Sequence, residues 1–75
     1  MAYYELVNLS TGNWIGEYST REAALEQVQI ACQRRGPDSI ATIGLGYHDD
    51  QGHAELIAEG DELVGLALHP RRIPA

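Results

Sequence analysis

The alternation of apolar and polar positions predicts a β-hairpin at the start of the chain. Residues 3–9 carry aromatic and β-branched side chains, residues 10–13 are turn formers, and a strand-like pattern resumes over residues 14–18. Gly12 and Asn13 in the turn tolerate the positive φ that a hairpin loop requires. The pattern therefore predicts two antiparallel strands joined by a short loop.

The apolar positions of residues 22–35 recur with the period of an amphipathic helix. Ser19 and Glu22 have the spacing of a capping box, Thr20 is an equally good N-cap, and Gly36-Pro37 ends the helix. The predicted buried face consists of Ala24, Leu25, Val28, Ala31 and Cys32.

A second hairpin is predicted after this helix. Residues 39–47 alternate as a strand, residues 48–53 form a polar turn, and residues 54–59 return as the partner strand. Gly44 and Gly46 share one face of the first of these strands. Two glycines on one face indicate a bulge or the close approach of a bulky group.

The C-terminal residues predict a short helix followed by an irregular tail. Asp61 to Leu68 contains apolar residues at helical spacing, and Asp61 is the expected N-cap. His69-Pro70 stops the helix, and residues 69–75 have no regular pattern.

These elements combine into one small α+β domain over residues 1–75, with the order ββαββ and a terminal α. A four-stranded antiparallel sheet packed against one main helix leaves its other face incompletely covered. Tyr3, Val7, Leu9 and Trp14 add apolar side chains that one helix does not hide. Either the short C-terminal helix or a second chain could cover that face, so a homodimer is one expected arrangement.

The charge balance narrows the classes of partner. Five Lys+Arg against eleven Asp+Glu give a net charge of −6, and all five cations are arginines. Four of them form the adjacent pairs Arg34-Arg35 and Arg71-Arg72. The acidic excess makes nucleic-acid binding unlikely and favours either a basic protein partner or solubility alone.

Cysteine usage and hydropathy indicate a cytoplasmic protein with no membrane association. The single Cys32 excludes an internal disulfide framework, and its place on the apolar helix face favours core packing over nucleophilic catalysis. No apolar run approaches the roughly 18 residues that would span a bilayer. The N-terminus lacks the basic and apolar regions of a secretory signal.

The densest group of metal-capable side chains lies in the second predicted turn. His48, Asp49, Asp50 and His53 are close in sequence, but their spacing matches no structural zinc pattern and is better explained by turn formation. We therefore expect no metal, no cofactor and no catalytic residues, so that the protein is not an enzyme. A metal-dependent enzyme built on His48 and His53 is the remaining catalytic hypothesis.

The candidate functional residues are those of an interface. Glu55, Glu59, Asp61 and Glu62 form an acidic series that could dock a basic protein or could be the solvated side of a strand and a helix N-terminus. Ile30 lies away from the main apolar helix face, and Trp14 flanks a hairpin loop. The predicted interface residues are Tyr3, Trp14, Ile30, Glu55 and Glu59.

Four stretches of the chain resemble short bacterial proteins of about this length, and the resemblance implies no activity. The stretches are residues 4–6, 10–15, 18–25 and 56–60. A hairpin followed by a Thr-x-x-x-Ala-Leu helix, here Thr20 to Leu25, is also similar in outline to the N-terminal part of HicB-type antitoxins. This chain lacks their Pro-containing connection before the helix and their appended DNA-binding segment.

Two functions follow as hypotheses. The first is a small acidic regulatory or adaptor protein, in one form antitoxin-like, that presents sheet and acidic surface to a protein partner. The alternative is a homodimer that binds a small molecule near Trp14, Tyr47 and the face carrying Gly44 and Gly46.

Overall fold

The chain folds in the order ββαββα that the sequence predicts. The structure is a computed structural model, and it describes residues 2–68. Its elements are β1 (Tyr3–Asn8), β2 (Trp14–Tyr18), α1 (Arg21–Arg35), a 3-10 turn (Pro37–Ile40), β3 (Ile43–His48), β4 (Ala54–Glu59) and α2 (Asp61–Leu68). The predicted irregular tail and its pair of arginines, Arg71 and Arg72, lie outside the described residues.

The four strands form one antiparallel sheet with the order β2-β1-β3-β4. Leu6 of β1 lies opposite Leu45 of the neighbouring β3, so the two hairpins meet along the middle of the sheet. The register shifts once between β1 and β2, after Leu6, and once between β3 and β4, after Leu45. The predicted α+β class and the antiparallel sheet are therefore confirmed.

The ends of α1 are fixed by local hydrogen bonds. The Thr20 hydroxyl accepts from the Ala23 backbone N–H at 3.1 Å, so Thr20 and not Ser19 is the N-cap. At the other end, the Gly36 N–H donates to the Cys32 carbonyl at 2.9 Å, with Gly36 at φ 90° and ψ 159°. Both ends thus satisfy backbone groups that the helix itself leaves unpaired.

The second helix packs beside α1 on the same face of the sheet. The Gln29 side-chain amide donates to the Ala67 carbonyl at 2.7 Å and links the two helices. The predicted cap was wrong: the Gly60 carbonyl accepts from the Val64 N–H at 3.0 Å, so Asp61 is the first helical residue. Because α2 lies beside α1, it does not cover the other face of the sheet.

One apolar layer lies between the sheet and the two helices. Leu45, Leu63 and Val28 are its largest fully buried side chains, and Cys32 is also buried there. The molecule measures 36 × 35 × 16 Å between Cα atoms. The shortest dimension, 16 Å, is the thickness of one sheet and one layer of helices. The remaining buried core residues are Leu6, Ala24, Leu25, Ile40, Ile43, Ala58 and Ala67.

The expected strand over residues 39–47 begins later than its β-branched pattern indicates. Pro37 opens a 3-10 turn, and the Ser39 hydroxyl donates to the Gly36 carbonyl at 2.8 Å. This turn buries Ile40 in the core before the strand starts at Ile43. Burial of one isoleucine outweighs a local preference for extended backbone.

Two glycine-to-alanine substitutions should change stability in opposite directions. Gly36→Ala should lower the free energy of unfolding by about 1–3 kcal/mol, because its φ of 90° belongs to a region that side chains rarely adopt. Gly65→Ala, inside α2 with open space around its α-carbon, should raise it by about 0.5–1 kcal/mol. Urea unfolding measures both, and a neutral Gly36→Ala would contradict the assigned helix end.

Candidate functional site on the open face of the sheet

The face of the sheet that points away from the helices carries a set of side chains with no layer above them among the described residues. We call it the open face. Pairing across the strands assigns its members, because residues directly opposite each other point to the same side. They are Tyr3, Glu5, Val7 and Leu9 from β1 and its end, Trp14 and Glu17 from β2, Gly44, Gly46 and His48 from β3, and Ala54, Leu56 and Glu59 from β4.

An apolar patch occupies one end of the open face. Its members are Val7, Leu9, Trp14 and Leu56, of which Leu9 is 44%, Trp14 61% and Leu56 48% exposed. A methyl group added to Gly44 would lie 2.8 Å from Leu9 Cδ1 and 3.0 Å from Leu56 Cδ1. The two leucines therefore converge over a glycine, which is the close approach that the paired glycines predict.

Three glutamates lie beside this patch on the open face. Glu5 and Glu17 lie directly opposite each other on β1 and β2, and Glu59 lies opposite Gly44. We call these three residues the acidic rim. The arginines among the described residues, Arg21, Arg34 and Arg35, all belong to α1 on the other side of the sheet. The open face therefore carries an apolar patch with three carboxylates beside it.

His48 is held against the acidic rim by two contacts. Its Nε2 lies 2.8 Å from Glu5 Oε2, and its ring stacks on Tyr3 with centroids 4.6 Å apart and planes 4° from parallel. Both side chains of this pair are about a quarter exposed. The contact holds the Glu5 carboxylate in place beside Glu17, its partner across the strands.

The predicted interface residues separate into two groups. Tyr3, Trp14 and Glu59 lie together on the open face. Glu55 lies opposite Tyr47 and so points to the helix side, while Ile30 lies on α1 and is 36% exposed. The structure thus brings three of the five onto one surface and leaves two elsewhere.

Sequence reasoning missed Leu56 as a member of the apolar patch. Strict alternation over residues 54–59 would place Leu56 on the same side as Ala58, and Ile57 on the side of Glu55 and Glu59. The register shift between β3 and β4 interrupts this alternation. Ile57 and Ala58 both pack toward the core, which leaves Leu56 outside. A bulge of this kind carries no clear signal in the local sequence.

The acidic series over residues 55–62 does not form one surface. Glu55 and Glu59 lie on opposite sides of the sheet by register. Asp61 and Glu62 lie in the first turn of α2, where carboxylates interact favourably with the helix N-terminus. Of the four residues, Glu59 alone belongs to the open face.

The residues expected near a small-molecule pocket, Trp14, Tyr47 and the paired glycines, do not share one face of the sheet. Trp14 shares the open face with Gly44 and Gly46, whereas Tyr47 packs against Tyr4 on the helix side with ring centroids 5.0 Å apart. The sheet itself separates Trp14 from Tyr47. What lies over the glycines is a shallow depression between Leu9, Leu56 and Glu5.

The two histidines of the second turn have different partners. His48 pairs with Glu5, while His53 Nδ1 lies 3.2 Å from Asp49 Oδ2. Within residues 2–68, no group of three or more His, Cys, Asp or Glu side chains is placed to hold a metal ion. Asp49 instead organises the turn, because its Oδ1 accepts from the backbone N–H groups of Gln51 and His53.

Acid titration should show this role of Asp49. The His53 backbone N–H, 2.8 Å from the carboxylate, is the main reason why the pKa of Asp49 lies below its ordinary value of 3.8. Because the folded-state pKa is lowered, the carboxylate stabilises the turn above the unfolded-state pKa, and this stabilisation is lost as the pH falls through the folded-state value.

NMR titration of the side-chain carboxyl carbon should therefore give a midpoint for Asp49 below 3.8 in the folded protein and an ordinary one in urea. Asp49→Asn is the matched control, since its amide oxygen accepts the same N–H bonds without titrating. A midpoint at or above 3.8 in the folded protein would contradict the assignment.

Neither of the helices in the described part of the chain is long and apolar enough to cross a bilayer. Comparison of the chain with protein-family models, curated proteins and solved structures gave no significant match. The similarity in outline to HicB-type antitoxins therefore stays a prediction from the sequence.

Proposed function

We propose that this protein is a small acidic binding module that presents the open face of its sheet to a protein partner. The observation that carries the proposal is the apolar patch, in which Leu9, Trp14 and Leu56 are each between two fifths and two thirds exposed on one surface. Contiguous apolar side chains rimmed by charged ones are typical of interaction sites. Tryptophan is also among the residues that most often dominate binding energies.

The charge of the open face supports a basic partner. A complementary partner has apolar side chains opposite the patch and lysine or arginine opposite Glu5, Glu17 and Glu59. A second copy of this chain packed by a twofold axis would bring the acidic rim against another acidic rim. A basic protein partner is therefore favoured over a homodimer through this face.

The proposal is of a regulatory or adaptor role and not of catalysis. An antitoxin-like module, which holds a partner protein inactive by covering its working surface, is one instance of such a role. Cys32 is free and buried in the core. A free thiol of this kind fits a reducing compartment such as the cytoplasm.

A pair of charge-reversed variants tests the partner's chemistry. Glu17→Lys with Glu59→Lys changes the open face, and Glu22→Lys with Glu26→Lys changes exposed positions of α1. Each pair adds four charges, since each substitution adds two, so both proteins move from −6 to −2. The matched charge separates a local effect from the general attraction between oppositely charged proteins.

We expect the open-face pair to lose the partner captured from a native lysate by the tagged protein, and the α1 pair to retain it. With the purified complex, the dissociation constant of the open-face pair should rise by at least about tenfold. An equal loss in both pairs would show that net charge alone drives capture and would count against the proposal.

Replacement of one leucine by serine tests the apolar patch. Leu56→Ser should weaken the complex by about fivefold or more, whereas Leu68→Ser on α2, where the leucine is 41% exposed, should have little effect. Light scattering on the free protein completes the test. A stable homodimer that protects Trp14 from fluorescence quenchers would show that a second copy occupies the open face and would overturn the proposal.

A further inference from the structure

A crevice separate from the open face lies between α1 and the β2 side of the sheet. It forms because the two helices cover the sheet unevenly: α2 lies over β3 and β4, whereas α1 alone lies over β1 and β2. The crevice has a volume of about 310 Å³. Most of its lining is apolar and includes Leu6, Ile15, Tyr18, Ile30 and Ile40.

One edge of α1 forms the wall of this crevice. Gln27, Ile30, Ala31 and Arg34 follow one another at helical spacing, so their side chains lie along one line of the helix surface. This position accounts for Ile30, which lies away from the residues that α1 buries in the core. The exposed isoleucine is part of the crevice wall.

Two arginines stand at the mouth of the crevice. Arg34 and Arg35 end α1 and line the crevice together with Ser39. Neither guanidinium has a carboxylate oxygen within 4 Å in residues 2–68. The other arginine of the helix, Arg21, lies thirteen residues earlier, roughly 20 Å away along the axis. Within residues 2–68 of a protein with a net charge of −6, this pair of arginines therefore makes a positive corner that adjoins an apolar crevice.

From this juxtaposition we infer that the crevice binds a small amphiphilic carboxylate, with its apolar tail between α1 and β2 and its carboxylate at Arg34 and Arg35. Guanidinium groups bind carboxylates through paired, charge-assisted hydrogen bonds. The helix carbonyl end contributes only about half a negative charge, which two guanidinium groups outweigh. The volume of about 310 Å³ lies at the small end of the range for ligand pockets, which suits a short-chain acid such as octanoate.

Titration with octanoate, followed by amide NMR, tests this site. We expect saturable shifts that centre on Ile15, Ile30, Arg34 and Ser39. Octan-1-ol has the same tail without the charge, and acetate has the charge without the tail. Both should bind at least about fivefold more weakly than octanoate, because each lacks one of the two interactions.

Substitutions at the two ends of α1 provide the matched control. Arg34→Gln with Arg35→Gln should raise the dissociation constant of octanoate by about tenfold, while Arg21→Gln should change it by less than about twofold. Ile30→Asp, at an exposed position, should also weaken binding by placing a carboxylate along the tail. All four positions are at the surface, so amide spectra of the free variants will show that the fold is retained.

Three results would overturn the inference: no saturable shift, shifts centred on the open face, or equal affinity for octanoate after the double arginine substitution. The crevice and the open face share no charged residue, so failure of one proposal leaves the other intact.

Discussion

The single apolar layer between the sheet and its two helices determines what the rest of the molecule can do. Leu45, Leu63 and Val28 are fully buried in this layer, and both helices lie on the same side of the sheet to bury them. Residues 2–68 supply two layers and no third, since small domains bury a low fraction of their surface. Among these residues, one face of the sheet is open as a consequence of how the core is built.

The open face differs from the solvated side of an ordinary antiparallel sheet. The solvated side of an antiparallel sheet is normally covered by polar side chains. Here Leu9, Trp14 and Leu56 are exposed on that side, near Gly44. The register shift in β4 contributes directly, because it turns Ile57 toward the core and leaves Leu56 outside. A shift of one residue in the pairing of β3 with β4 thus adds Leu56 to the apolar patch.

The described arginines lie on one side of the sheet only, whereas carboxylates lie on both sides. The acidic rim of Glu5, Glu17 and Glu59 lies on the open face, and the described arginines lie on α1. The two proposals therefore involve partners of opposite charge. We propose a basic protein for the open face and an anion with an apolar tail for the crevice beside Arg34 and Arg35.

The sequence by itself determined the elements whose signals are local. Residues 14–18, 54–59 and 61–68 were predicted with the bounds that the structure has, because turn formers and helix-compatible spacing act over a few residues. The main helix was predicted to within one residue of its start, and its four buried residues belong to the predicted face. The sequence also predicted the turn that contains Asp49, whose carboxylate accepts hydrogen bonds from the Gln51 and His53 backbone N–H groups.

Tertiary structure alone decided how these elements face one another. It placed α2 beside α1 through Gln29, buried Ile40 in a 3-10 turn, and put Glu55 and Glu59 on opposite sides of the sheet. Each of these outcomes depends on packing between residues far apart in the chain or on a shift in strand register. Local propensity has no information about either, because it reports the preference of a segment and not what that segment packs against.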